Sequence, residues 1–285
     1  MLGYVCKYTP MELFESMDTE ITRLEPSVTD FNHADTLMHA NICSYTKAVL
    51  EDVMEHDYEG VILTTCCDSI RRLYDTLKSQ FPDKFFFLLD IPRKFNDFAV
   101  ALYERQLKQM LTEYEAFSGK TLDLKRFVSM MQNKAALKKQ ENTRMSSSAV
   151  SEKGNGQKLN IGIMGARCNN EIRQLLVDRG ANLLFDLTCT GLARDFSITE
   201  DQVLHSYAAA LLNQIPCMRM LKAANREHFL DGFTDRLDGI IYHTVKFCDS
   251  YSYEYADFRQ RLDLPILLVE TDSTRQCAGQ VRTRV

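Results

Sequence analysis

The chain has 285 residues, 45% of them apolar and 26% charged, with a formal net charge of −5. At ~100–200 residues per domain this allows two domains and a sizeable core. The acidic balance argues against a general nucleic-acid binder; no apolar run reaches the ~18 residues of a membrane span, and the start lacks a leader pattern, so a cytoplasmic protein without a membrane or nucleic-acid partner is expected.

Taken in chain order, the first half alternates strand and helix. Leu2–Val5 reads as a short strand, and Pro10 opens a helix through about Asp18. A helix over 35–56 carries Tyr45, Val49 and Val53 on one face. Val61–Thr65 is a β-branched strand, followed by a helix near 69–79 and the apolar strand Phe85–Asp90. The pattern over 94–117 predicts a long amphipathic helix with Phe98, Leu102 and Leu107 inward, and a further helix spans 122–140. Residues 141–158 are polar, rich in Ser and Gly, and read as a linker. The alternation then restarts. Strands are expected at 159–164, 182–187, 239–243 and 266–270, and helices at 168–179, 199–213, 217–230 and 252–262. This predicts an α/β protein of two doubly wound, Rossmann-like parallel-sheet domains, 1–140 and 159–285.

The nine cysteines form an odd set in a chain of this size, which favours metal or redox chemistry over a disulfide scaffold. Comparing the halves organises six of them. Glu59-Gly60 opens a strand that leads to Cys67-Asp68-Ser69, and Asp238-Gly239 opens one that leads to Cys248-Asp249-Ser250. Cys43 and Cys217 each read as a helix start upstream of these strands. Cys6 and Cys189 each follow a strand further upstream.

All six thus fall at carboxyl ends of strands or at helix starts, where open parallel sheets bind ligands and where helix N-termini favour the thiolate. Two domains facing each other would gather Cys6, Cys43, Cys67, Cys189, Cys217 and Cys248 around one metal cluster in the crevice between them. The paired short spacing of structural zinc sites is absent, and widely separated thiolates suit an iron–sulfur cluster. Cys66 competes with Cys67, which alone carries the Cys-Asp-Ser context. Cys168 competes with Cys189, which the echo favours. Cys277 reads as incidental in a polar tail. The six histidines show no metal-ligand pairing. His243, ending a strand near Cys248, is a candidate proton donor, and Glu12, on the helix after Cys6, a candidate acid/base.

With these residues in view, the sequence resembles the 2-hydroxyacyl-CoA dehydratase, or 2-hydroxyglutaryl-CoA dehydratase D-component, family. The resemblance rests on Gly3 to Pro10 with Glu12, Cys43-Ser44-Tyr45, Thr65 to Asp68, Pro216-Cys217, Asp238 to Ile241, Phe247-Cys248-Asp249, Glu270 to Asp272 and Gly279 to Arg284. It implies an enzyme component, a homodimer or a heterodimer with a family relative, that accepts single electrons from an ATP-dependent activator with its own iron–sulfur cluster. In dehydratase members a [4Fe-4S] cluster on three cysteines, by motif Cys43, Cys67 and Cys248, drives radical dehydration. The double-cubane branch carries an [8Fe-9S] cluster on six cysteines and reduces small molecules. The six-cysteine pattern here, with Cys6 before Tyr8-Thr9-Pro10 and with Cys189-Thr190-Gly191, resembles that branch more. A non-catalytic electron-carrying or assembly subunit is the further alternative. The chain is short for the family at 118–158 and at its end, which bears on CoA-ester dehydration more than on the cluster.

Overall fold

The computed structural model describes the chain apart from residues 149–157, 169, 192–197, 216 and 221–223. In the first half, β1 (Leu2–Tyr4) leads to α1 (Met11–Ser16), β2 (Ile21–Arg23), α2 (Asn32–Leu37) and α3 (Ser44–Glu55). Then come β3 (Gly60–Thr64), α4 (Asp68–Gln80), β4 (Phe85–Leu89), α5 (Asp97–Ser118) and α6 (Leu124–Ser148). The second half holds β5 (Asn160–Gly165), α7 (Asn170–Asp178), β6 (Asn182–Thr188), α8 (Val203–Leu212) and α9 (Ala224–Asp231). It closes with β7 (Gly239–Val245), α10 (Asp249–Arg261), β8 (Ile266–Thr271) and α11 (Cys277–Arg284).

The described strands form two parallel four-stranded sheets, ordered β2-β1-β3-β4 and β6-β5-β7-β8. The order is the same in both, so the expected pair of α/β domains is present as a duplicated fold. Each sheet has its switch point between the first and third strands of its half, β1/β3 and β5/β7, where a crevice opens at the carboxyl ends. Among the described residues no helix is long and apolar enough to cross a membrane.

The strands sit where β-branched and aromatic runs put them. β3 (GVILT) and β7 (GIIYHTV) are buried throughout, as central strands covered on both faces must be. α5 is held at both ends: the Asn96 side chain accepts from the Ala99 N–H at 2.8 Å, and Gly119 closes the helix at φ 71°.

Several sequence expectations need correction. The helix over 35–56 is two helices, because the chain turns to an extended conformation at Met38 and re-enters helix only after Cys43. Phe98 points outward at 77% exposed; the buried face of α5 is Ala99, Val100, Tyr103, Leu107, Met110, Leu111 and Tyr114. Cys217 does not start a helix but opens a turn, with the Met220 N–H bonded to its carbonyl at 2.9 Å. The short strand β2 and helix α11 were not foreseen; α11 turns the expected polar tail into a packed element through buried Val281. α6 runs through the first part of the segment read as a linker, to Ser148, while 149–157 and Pro216 lie outside the described residues.

The halves are fastened to each other. α8 of the second half packs on α5 of the first, where Tyr207, Ala208, Leu211 and Leu212 join the core of Tyr103, Leu107 and Met110. The Tyr207 hydroxyl donates to Glu12 Oε2 at 2.6 Å. On the other flank Val28 bridges Thr274, and Arg167 donates to the carbonyls of Leu24 and Val5.

Candidate metal centre

A cavity of about 100 Å³ lies between the halves, room for several waters. Its walls are the carboxyl ends of both sheets: Cys6 after β1, Cys66 and Cys67 after β3, Arg167 after β5, Cys189 after β6 and Cys248 after β7. Cys43, capping α3, and Cys217, in the turn before α9, complete the lining thiols. All six cysteines singled out in the sequence face one cavity, and Cys66 joins them. All nine cysteines of the chain are free thiols.

Local structure explains each placement. Cys43, Cys67 and Cys248 stand at the N-cap positions of α3, α4 and α10, so each sulfur sits beside N–H groups that have no partner within the helix. Phe247, at φ 63°, bends the chain between β7 and α10, and the Cys248 N–H closes the turn on the Val245 carbonyl at 2.8 Å. A non-glycine residue in this left-handed conformation is strained and marks a turn that its surroundings hold in place.

The thiols are not alike. Hydrogen bonds from Cys6 and Cys67 pull the Cys66 thiol well below its ordinary range, and one from Cys189 does the same to Cys217. Those bonds, with burial, push Cys6, Cys67 and Cys189 up in turn. Burial pushes Cys43 up, and Cys248 up to about 11. Cations surround the set. Arg219 places Nη2 4.0 Å from Cys248 Sγ and donates from Nε to Ser250 Oγ at 3.2 Å. Lys7, 6% exposed, donates to the Ile215 carbonyl, and Arg167 stacks 4.1 Å over the Tyr45 ring. Arg93 lines the cavity from an exposed position after β4. Among the described residues lining the cavity there are four cationic side chains and no carboxylate.

The fold corrects one part of the echo. By strand order β1 matches β5, so the topological counterpart of Cys6 is Cys168, whereas Cys189 follows β6, the counterpart of β2. Yet Cys168 is fully buried beside Ile163 and Ile172, its thiol pushed up to about 12 by burial, and Cys189 faces the cavity. Glu12 does not line the cavity; it is buried against Tyr207. His243 lines a neighbouring cavity with Cys277, bonded through Nε2 to Thr271 Oγ1 at 2.9 Å, and burial lowers its pKa to about 4. Cys277 bonds through its thiol to Asp272 Oδ1 at 2.8 Å. Sequence reasoning missed Lys7, Arg167, Arg219 and Tyr251 as members of the site. Each lies within three residues of a cysteine, and that adjacency was the available signal.

The family model for the 2-hydroxyglutaryl-CoA dehydratase D-component matches residues 6–144 and 129–285. The chain belongs to this family. No curated protein matches it. Membership supports the role of a 2-hydroxyacyl-CoA dehydratase component; the family binds an iron–sulfur cluster and implies a partner activator protein.

The residues present fit such a group. Among the described residues no three His, Cys, Asp or Glu are arranged to hold a metal ion. A polynuclear cluster makes a different demand, for thiols spaced around a core rather than converging on one point. The donor set is purely sulfur, as iron–sulfur clusters use. An assembly of thiolates and cluster is anionic, and the cations around this cavity offset that charge.

Proposed function

We propose that the chain is an iron–sulfur redox enzyme of its family, receiving single low-potential electrons from an ATP-dependent activator and reducing a small substrate at a cysteine-bound cluster. The observation that carries this reading is the convergence of seven thiols and four cationic side chains on one cavity between the sheets. Cys6, Cys43, Cys67, Cys189, Cys217 and Cys248 are the proposed ligands of an [8Fe-9S] double cubane. When bound, such a group supplies one-electron chemistry at low potential. The protein's own part is to hold the thiolates, to balance their charge with Lys7, Arg167 and Arg219, and to keep bulk water from the site. Cys66, hydrogen-bonded to both Cys6 and Cys67, keeps the adjacent thiol pair within reach of the same group.

A second reading is favoured by one observation. Among the described cysteines lining the cavity only Cys43, Cys67 and Cys248 are helix N-caps, and these three would hold a [4Fe-4S] cluster in a D-component-type dehydratase subunit. Anaerobic purification with iron and sulfide analysis separates the two. About eight irons per chain supports the double cubane, and about four supports the dehydratase-type cluster. No iron after anaerobic reconstitution overturns both. Loss of most of the iron in Cys189→Ala and Cys217→Ala is expected for the six-ligand site, and full retention in both for the three-ligand site.

A further inference from the structure

The two Cys-Asp-Ser turns give the molecule an internal control. α4 and α10 each start from a cysteine cap, and the residue three further on shares the cap's side of the helix. In α4 that residue is Ile70, and in α10 it is Tyr251. Both are buried and both line the cysteine cavity. The Tyr251 hydroxyl lies 2.8 Å from Cys189 Sγ and 3.2 Å from Cys217 Sγ. Its side chain comes from the first turn of a helix and is 2% exposed, so the hydroxyl is held in place and shielded from competing water.

We infer that Tyr251 is a positioning residue that donates a hydrogen bond into the Cys189–Cys217 pair, giving that end of the site a higher reduction potential than Ile70 gives the Cys6–Cys66–Cys67 end. The inference rests on the cluster reading above. A metal-bound thiolate carries no proton, so its sulfur can only accept and the hydroxyl must be the donor. A donor to ligand sulfur stabilises the state with more negative charge on that sulfur, which is the reduced state. The low local dielectric strengthens the effect. One electron is added and the hydroxyl keeps its proton, so no proton transfer is required. Arg219 acts as a cation at both ends, on Cys66 and Cys67 and then on Cys217, as well as beside Cys248, while Tyr251 acts as a neutral donor aimed at the two sulfurs of one end alone. The duplicated fold therefore holds an electrically unsymmetrical site.

The test uses the full chain, reconstituted anaerobically, with Tyr251→Phe compared against wild type. Iron and sulfide per chain and an electron paramagnetic resonance redox titration are measured on both. The expected result is an unchanged iron content and a reduction equilibrium about tenfold less favourable in the variant, a fall of ~59 mV for a one-electron step. Tyr253→Phe, exposed on the same helix, is expected to leave the potential in place. Equal potentials in two fully loaded proteins overturn the inference while leaving the cluster reading standing. Absence of iron from the wild type overturns the cluster reading, and this inference with it. Should Tyr251→Phe fail to fold, fluorotyrosine at position 251, a stronger donor of the same shape, is expected to raise the potential; no rise overturns the inference.

Discussion

The two halves share one strand order and differ in how they are covered. In the first sheet β1, β3 and β4 are almost closed to solvent, and the edge strand β2 is half-exposed. In the second, β7 is buried throughout, β6 is open at its start and buried at its end, and β8 is mostly half-exposed. The halves also divide one helix unequally. α8 belongs to the second half by sequence but contributes its apolar face to the core of the first. A duplicated topology thus does not imply duplicated packing, and the second half relies on other anchors. One of them is the buried pair Arg226–Glu254, with Arg226 Nη2 donating to Glu254 Oε2 at 3.0 Å and the Tyr242 hydroxyl donating to the same carboxylate.

The sharpest way to break this comparison is at that pair. Glu254→Ala leaves the Arg226 charge buried without its partner and is expected to destabilise by ~3–5 kcal/mol, read from urea denaturation midpoints at constant slope. Leu211→Ala comes next, at ~2–5 kcal/mol, since it opens a cavity in a full core. Its diagnostic feature is location: hydrogen exchange is expected to quicken in α5 of the first half, though the substitution lies in the second. Exchange confined to the second half would contradict the crossing-helix account.

His243 gives a pH test of the second half. Burial holds its folded pKa near 4, below the unfolded value of about 6.5, so the native state keeps it neutral. Its stability contribution is full above pH 6.5 and is lost as pH falls toward 4, by up to about 3 kcal/mol. His243→Gln is expected to flatten that part of the stability–pH curve; an unchanged slope between pH 6.5 and 4 counts against it. The smallest effect is predicted for Phe98→Ala. Despite its size, this exposed residue is expected to change stability by less than ~0.5 kcal/mol, whereas an inward Phe98 would cost ~3–5 kcal/mol.

These residues also show which parts of the molecule were legible in the sequence. The strands β3, β4, β5 and β7 declare themselves through runs such as VILTT and FFFLL, because a strand buried on both faces must be apolar along its length. The Cys-Asp-Ser repeat marked two equivalent turns because the same strand-to-helix geometry recurs at Cys67 and Cys248. Phe98 misled because a helix stripe can be started a residue or two off: 98, 102 and 107 lie close to the true stripe of 100, 103 and 107 and share its last member. The pairing of Cys6 with Cys189 misled for a related reason, since "strand, then cysteine" does not encode which strand sits at the centre of a sheet. The destination of α8 was illegible altogether. Its apolar face states that it must be covered, and nothing local in Val203–Leu212 says by which half. The cations around the thiols were hidden because nothing in the local sequence of Lys7, Arg167 and Arg219 separates them from ordinary surface charges.

The crossing helix and the Val28–Thr274 bridge grip the molecule on opposite flanks of the crevice. Pulling the lobes apart would strip Tyr207, Leu211 and Leu212 from their cover and break the isolated Val28–Thr274 bridge. The architecture is therefore a buckled clasp rather than a jaw. Access to the sulfurs is then a matter of the side chains at the rim, where Arg93 is exposed, and not of lobe separation.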